Sequence, residues 1–146
     1  MTRDRVSEFT AGLRQAGLRM TAQRLAICRA LADAETHPTA AQMFEQVRAD
    51  FPTLSLATVY STLNTFASLG LVFELGNAGD GQKHYDPDTA PHANLICTRC
   101  HRIRDLDDTA LEAVSTRVAK KSGYQIQGAR IVYYGVCPAC SKRRNR

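Results

Sequence analysis

The sequence predicts an α+β fold in two domains, and three observations lead to this expectation. Apolar residues recur at helical spacing from residue 4 to residue 69, and two short extended segments follow around a glycine-rich turn. A segment with two prolines, residues 87–91, then separates this part from a strand-rich remainder. We therefore expect an N-terminal domain over 1–86, a hinge over 87–91 and a small C-terminal α/β domain over 92–146.

The composition limits the class of protein. The chain has 146 residues, of which 44% are hydrophobic, and its net charge is +5. This excess of basic residues suits a polyanion such as nucleic acid, although a solvated basic surface has the same composition. The charged start and the lack of a long apolar run predict a cytoplasmic protein with no membrane partner. No nucleophile-and-base signature and no phosphate-binding glycine loop occurs, so we expect neither an enzyme nor a small organic substrate.

The first two helices are predicted from apolar spacing and from their ends. The first covers 4–16 and stops at Gly17, a residue typical of helix C-termini. Thr21 can cap the second, which runs to about residue 33. Cys28 lies in the apolar pattern of this helix, so we interpret it as a small core residue.

The next two helices carry clear cap signals. Thr39 followed by Gln42 is a capping-box pattern that opens the third helix, and Pro52 is expected to end it. Ser55 is the predicted cap of a fourth helix over 56–69.

The fourth helix has two faces of different character. The residues expected to face the core are Leu56, Val59, Leu63 and Phe66. The opposite face is small and uncharged, and comprises Ala57, Thr58, Tyr60, Ser61, Asn64 and Thr65. A solvated face usually carries Lys and Glu, whereas short hydrogen-bonding side chains suit a helix in the major groove of DNA. With strands over 71–75 and 82–86, this order predicts a winged helix-turn-helix; the alternative is a helical domain with a hairpin and no DNA partner.

The C-terminal domain is predicted to be a small sheet with one helix. Strands are expected over 93–97, 102–106 and 124–134, a helix over 108–121, and a basic, frayed tail over 141–146. A unit of this size has little core, so it needs a metal, a partner subunit or both.

Two Cys-x-x-Cys pairs flank this domain. They supply four thiolates, the number that a closed tetrahedral Zn²⁺ site requires. A single pair is also typical of a redox dithiol, but two pairs favour structural zinc. The predicted zinc ligands are Cys97, Cys100, Cys137 and Cys140.

Other residues that can bind metal gather around the hinge. They are His37, His84, Asp86, His92, Asn94, His101 and Asp105. Imidazole and carboxylate without thiolate suit an exchangeable Fe²⁺, Mn²⁺ or Zn²⁺ ion. The alternative is that they are ordinary surface histidines and solvated aspartates, and spacing by itself favours that alternative.

The sequence resembles the ferric uptake regulator (Fur) family of bacterial metal-dependent repressors over nearly its whole length. The segments that carry the resemblance are residues 16–24, 37–40, 55–63, 92–100 and 134–140. The resemblance implies a winged-helix DNA-binding domain followed by a dimerisation domain. It also implies a homodimer on near-palindromic double-stranded operator DNA.

The resemblance assigns roles in DNA binding. Tyr60 and Ser61 would lie on the recognition helix, and Arg19 would reach into the minor groove. Many iron regulators have arginine where Ser61 stands, so different base preferences are expected. The full set expected to bind DNA is Arg19, Ala57, Thr58, Tyr60, Ser61 and Asn64.

Within the family, the resemblance is strongest to the peroxide-sensing branch. Four of the five regulatory-metal ligands of that branch are matched by His37, Asp86, His92 and Asp105. The iron and zinc branches usually carry glutamate at Asp105, and Ala129 replaces a histidine of many iron regulators. The implied function is a peroxide-responsive repressor with structural Zn²⁺ and regulatory Fe²⁺ or Mn²⁺. Iron-catalysed oxidation of His37 or His92 would release the DNA.

The fifth branch ligand, a histidine, falls at Asn94. Three outcomes are open: Asn94 or water completes the site, His84 or His101 substitutes, or the response to metal is weak. Two other functions also remain open. One is an iron- or zinc-responsive repressor without redox chemistry, and the other is a redox switch in which peroxide oxidises the zinc thiolates.

Overall fold

A computed structural model of the protein describes residues 2–76, 78–107 and 109–143. The chain divides into two compact units. Unit 1 comprises Met1–Gly76 and Gln82–Asp88, and unit 2 comprises Asn77–Gly81 and Thr89–Arg146. No helix in the described part of the chain is long and apolar enough to span a membrane.

Unit 1 begins with four helices: α1 (Thr2–Gln15), α2 (Ala22–Ala32), α3 (Ala40–Arg48) and α4 (Leu56–Ser68). All three predicted caps are confirmed. Thr21 accepts from the Arg24 amide, Ser55 from the Thr58 amide, and Thr39 forms a complete capping box with Gln42. Helix α3 ends earlier than expected, because the chain leaves the helix through a turn in which the Phe51 amide bonds the Val47 carbonyl.

The core of unit 1 forms between its four helices. Phe9 and Phe66 are fully buried, with ring centroids 4.7 Å apart. Cys28 is also fully buried, and burial raises the pKa of its thiol to about 11, which confirms its assignment to the core. One core assignment was wrong: Leu56 is 40% exposed, because it lies in the first turn of α4.

A two-stranded antiparallel hairpin completes unit 1. Strands β1 (Phe73–Leu75) and β2 (His84–Asp86) pair so that Phe73 lies opposite Asp86. Both are two residues shorter than predicted at their start, because pairing begins with Phe73 opposite Asp86 and ends with Leu75 opposite His84. Strand β2 is also fixed from outside the hairpin, since the Tyr85 amide donates to the Pro38 carbonyl at 2.9 Å.

Arg5 ties α1 to both ends of the hairpin region. Its guanidinium donates to the carbonyl of Leu71 at 2.8 Å and to that of Pro87 at 2.5 Å. The same group lies 4.6 Å from the centre of the Phe9 ring and pairs with Glu8. The segment that follows β2 is therefore held against the first helix.

Unit 2 contains a three-stranded sheet in the order β4-β3-β5. Its elements are β3 (His92–Cys97), β4 (Ile103–Leu106), α5 (Thr109–Ser122), β5 (Arg130–Gly135) and α6 (Pro138–Arg143). Strand β3 is antiparallel to β4 and parallel to β5, so α5 lies in the crossover between β4 and β5.

Two predictions for unit 2 were wrong. The last strand begins at Arg130, not at residue 124, because β3 starts at His92, opposite Arg130, and offers no earlier partner. The segment after Cys137 is a helix up to Arg143, not a frayed tail, and the Ser141 amide bonds the Cys137 carbonyl at 2.9 Å. Residue 108, the expected start of α5, and residues 144–146 lie outside the described residues.

The capping box of α3 gives a test of this fold. Thr39→Ala should lower the free energy of unfolding by about 1 kcal/mol more than Thr39→Ser, because serine keeps the hydroxyl that accepts from the Gln42 amide. Both variants lose the threonine methyl, so their difference isolates the cap. Urea denaturation measures it, and equal midpoints for the two variants would contradict the assignment.

Candidate metal centres

The four predicted zinc ligands come together in unit 2. Strands β3 and β5 run parallel with Cys97 opposite Gly135, so the turns that follow both strands lie side by side. Each turn carries one Cys-x-x-Cys, and the four sulfurs all lie within 4.8 Å of one another. Cys100 Sγ and Cys137 Sγ are 3.8 Å apart, close to the edge of a tetrahedron with Zn–S distances of about 2.3 Å. The donor set and its spacing fit Zn²⁺.

Backbone amides surround these sulfurs. Cys97 Sγ accepts from the amides of Cys100 at 3.5 Å and Cys137 at 3.4 Å, and these bonds lower the pKa of the Cys97 thiol to about 5. Hydrogen bonding to the Cys137 sulfur and then burial raise the pKa of Cys140 to about 12. Without a cation Cys140 therefore keeps its proton at neutral pH while Cys97 is a thiolate, and metal binding displaces the Cys140 proton.

Hydrogen bonds to main-chain carbonyls also join the first cysteine turn to the chain around the second. The Thr98 amide donates to the Gly135 carbonyl at 2.8 Å, and the Arg99 guanidinium donates to the Cys140 carbonyl at 3.4 Å. The protein chain thus contributes to the alignment of the sulfurs.

Unit 1 holds a buried pair of one imidazole and one carboxylate. His37 Nε2 lies 3.6 Å from Asp86 Oδ2, and both side chains are buried. Asp86 Oδ1 accepts from the Asp88 amide at 3.0 Å, so the carboxylate is held with Oδ2 toward His37. The His37 carbonyl in turn accepts from His84 Nδ1 at 2.7 Å. Such outer hydrogen bonds are what orients metal ligands in proteins.

Unit 2 holds a second set of polar side chains on one face of β3 and β4. His92 and Asn94 are two residues apart on β3, so they share a face, and Asp105 lies opposite Asn94 on β4. His92 Nε2 is 3.6 Å from Asp105 Oδ1, and Asn94 Nδ2 donates to the same oxygen at 2.7 Å. His92 Nδ1 donates to the Ala90 carbonyl at 2.7 Å. This bond leaves Nε2 as the lone-pair nitrogen, the form that binds metal.

In each of the other two histidines, one ring nitrogen forms a hydrogen bond with a backbone carbonyl. His84 bonds the His37 carbonyl, and His101 Nδ1 bonds the Ala78 carbonyl at 2.9 Å. Gly79 packs so closely on the His101 ring that an added Cβ would lie 2.5 Å from Nδ1. Neither histidine joins a metal-capable cluster among the residues that the structure describes.

The residues expected to bind DNA lie mostly at the surface of unit 1. Those exposed are Arg19, Ala57, Tyr60, Ser61 and Asn64. Thr58 is half-buried, and its hydroxyl bonds the Ser55 hydroxyl at 2.9 Å, so it supports the start of α4.

The outer partners of the metal-capable residues were not predicted from the sequence. The carbonyls of His37 and Ala90 and the amide of Asp88 carry no side-chain signal. Only the proximity of Asp88 and Ala90 to Asp86 and His92 could have suggested them.

Comparison with known proteins identifies relatives over nearly the whole chain. The profile of the Ferric uptake regulator family matches residues 15–134. The peroxide-responsive repressor PerR of Staphylococcus aureus is 36% identical over 138 residues, covering 94% of this chain and 93% of that protein.

Solved structures agree with this likeness. The ferric uptake regulator of Helicobacter pylori, described as having three functional metal-binding sites, superposes with a TM-score of 0.76. It is 19% identical, with 97% of this chain and 94% of that chain covered, and therefore shows the fold alone. The ferric uptake regulator of Pseudomonas aeruginosa with manganese gives a TM-score of 0.73 at 26% identity, with coverage of 88% and 97%. From the family profile, the Staphylococcus relative and the Cys₄ cluster together, we conclude that the chain belongs to the ferric uptake regulator family of metal-responsive repressors.

Proposed function

We propose that this protein is a peroxide-responsive repressor that binds operator DNA as a homodimer and acts in the cytoplasm. The observation that carries the proposal is the pairing of Nε2 with a carboxylate oxygen in both His37–Asp86 and His92–Asp105. Both sets lack thiolates, and both contain aspartate. The 36% identity to a peroxide-responsive repressor supports the same assignment.

We assign one exchangeable ion to the two sets together. Its proposed ligands are His37, Asp86, His92, Asn94 and Asp105. The assignment of both sets to one ion comes from the family resemblance. A bound Fe²⁺ would supply the one-electron chemistry with peroxide, whereas Mn²⁺ would support DNA binding without it. The chain contributes the oriented imidazoles of His37 and His92 as the groups to be oxidised, and the Cys₄ zinc remains structural.

The DNA contacts are proposed for the polar face of α4 and for Arg19. Homodimerisation is proposed for unit 2, which exposes large apolar side chains on α5 and β5. These are Val114, Val118, Tyr133 and Tyr134, with exposures of 40%, 47%, 55% and 63%. Burial of such residues against a second copy would remove apolar surface from water.

Oxidation of specific histidines tests the peroxide response. After loading with Fe²⁺ and exposure to low peroxide, peptides containing His37 or His92 should gain one oxygen atom, and the Mn²⁺-loaded protein should show no change. His84 and His101 are internal controls in the same digest, since neither belongs to a metal-capable cluster in the part of the chain that the structure describes. Peptide mass spectrometry measures all four.

The same experiment distinguishes a peroxide-responsive repressor from the main alternative, a metal-responsive repressor without redox chemistry. Bound iron without histidine oxidation would contradict peroxide sensing and would favour an iron- or zinc-responsive repressor. Equal oxidation of all four histidines would indicate general damage and would also count against the proposal.

Removal of one thiolate tests the role of the Cys₄ site. Cys97→Ser should lose zinc and dimerisation, because Cys97 lies at the end of β3 and accepts amides from both cysteine turns. Cys28→Ala is the matched control, since Cys28 lies in the core of unit 1, and it should keep its zinc. Metal analysis and light scattering give the two readouts.

A stable, zinc-free dimer of the Cys97→Ser variant would overturn the structural assignment. Diamide oxidises thiols and spares histidines, so loss of DNA binding with diamide at low concentration would favour the thiol-switch alternative.

The DNA interface is tested by salt dependence. The logarithm of the binding constant should fall steeply with the logarithm of salt concentration, because Lys and Arg displace counterions from phosphates. Arg19→Ala should weaken binding and reduce the slope by about one unit. Arg48→Ala, in which the lost side chain pairs with Glu45 at 3.3 Å, should change neither. Fluorescence anisotropy on a duplex selected from a random pool measures both, and a flat salt response would contradict DNA binding.

A further inference from the structure

Asn94 occupies the centre of the polar set in unit 2. Its side chain is fully buried, and Nδ2 lies 2.7 Å from Asp105 Oδ1 and 3.4 Å from His92 Nε2. The pairing of β3 with β4 places Asn94 directly opposite Asp105. The amide group therefore touches both atoms that would bind a cation in this unit.

The orientation of this amide is determined by its neighbours. An ionised carboxylate only accepts hydrogen bonds. His92 Nε2 also accepts, because Nδ1 carries the proton that is donated to the Ala90 carbonyl. An amide oxygen at the position of Nδ2 would face two acceptors, so the NH₂ group must point toward them. In this orientation the NH₂ group donates to His92 Nε2 and Asp105 Oδ1, the atoms whose lone pairs a metal ion would bind.

A cation bound by His92 and Asp105 would favour the opposite orientation of the Asn94 amide, with the oxygen toward the ion. Amide nitrogen is not a metal donor, and its hydrogens carry partial positive charge, whereas amide oxygen is a donor that suits hard cations. A turn of about 180° about the final side-chain bond exchanges the two atoms without moving the backbone. The hydrogen bond to Asp105 must be broken in that turn, and burial makes its loss costly unless the ion replaces it.

We propose that Asn94 sets metal specificity by reversing its amide: Nδ2 bridges His92 and Asp105 without metal, and Oδ1 binds the ion when metal enters. This proposal rests on the regulatory site proposed above. Loss of the hydrogen bond between Asn94 and Asp105 lowers the affinity for every ion alike. An amide oxygen as ligand, in place of an imidazole nitrogen, raises the affinity for Mn²⁺ relative to that for Zn²⁺. The chain would then favour manganese more than it would with histidine at this position.

The test compares the affinities of the exchangeable site for Mn²⁺ and Zn²⁺ in protein whose Cys₄ site is already zinc-loaded. Free Mn²⁺ is followed by electron paramagnetic resonance, first alone and then during competition with added Zn²⁺. Asn94→His should raise the affinity for Zn²⁺ relative to Mn²⁺ by about tenfold or more. Gln127→His adds a histidine at an exposed position of unit 2 and should leave the ratio unchanged.

A measurement on the unsubstituted protein tests the reversal itself. The ¹⁵N side-chain amide signal of Asn94, assigned by its loss in Asn94→His or Asn94→Asp, should shift when Zn²⁺ enters the exchangeable site. Its NH₂ protons should then exchange faster with water, because they no longer bond Asp105.

The outcomes separate this proposal from the proposed function. If the second ion binds but Asn94→His leaves the Mn²⁺/Zn²⁺ ratio unchanged, or the amide signal does not shift, the role of Asn94 is overturned while the regulatory site stands. If the unsubstituted protein binds no second ion while keeping its Cys₄ zinc, both proposals fail. A tenfold change in the ratio together with the amide shift supports the reversal.

Discussion

The parallel pairing of β3 with β5 is the constraint on which unit 2 depends. It aligns the ends of two strands that are separated along the chain by β4 and α5, and each strand leads directly into a Cys-x-x-Cys turn. Parallel pairing between such distant segments costs loop-closure entropy before it returns any contact energy. A zinc ion at the junction would offset that cost, because its four bonds close the same loop that the strands close. A bound zinc ion and the sheet would therefore stabilise each other in a unit with little core of its own.

Strand β3 carries residues of both candidate metal sites in unit 2, the four-cysteine cluster and the polar set around Asn94. His92 and Asn94 lie near its start and Cys97 at its end, while β4 contributes Asp105 to one set and β5 leads into the other. The donors differ in kind: four thiolates suit a closed zinc site, whereas imidazole, carboxylate and amide suit an exchangeable ion. Because β3 is the central strand, its pairing on both sides fixes the register of both sets.

Much of this arrangement could be predicted from local sequence signals. Helix caps at Thr21, Thr39 and Ser55 and the paired cysteines depend on residues a few positions apart, which the sequence displays directly. The late start of β5 could not be predicted, because apolar residues continue upstream of Arg130 and only the length of β3 limits the pairing. The orientation of the Asn94 amide was equally hidden, since it depends on a carbonyl at Ala90 and on a carboxylate in another strand. Long-range and main-chain partners account for what sequence patterns missed.

The hydrogen bonds of Arg5 differ from a bond between two side chains in which partner can be replaced without losing the bond. Its guanidinium meets the carbonyls of Leu71 and Pro87, groups that every amino acid supplies, whatever its side chain. Replacement of residue 71 or 87 would leave both acceptors in place, whereas replacement of Arg5 would remove both bonds at once. These hydrogen bonds therefore restrict the side chain at position 5 but not those at positions 71 and 87. As far as these two hydrogen bonds are concerned, residues 71 and 87 can change their side chains, whereas position 5 must keep a guanidinium group.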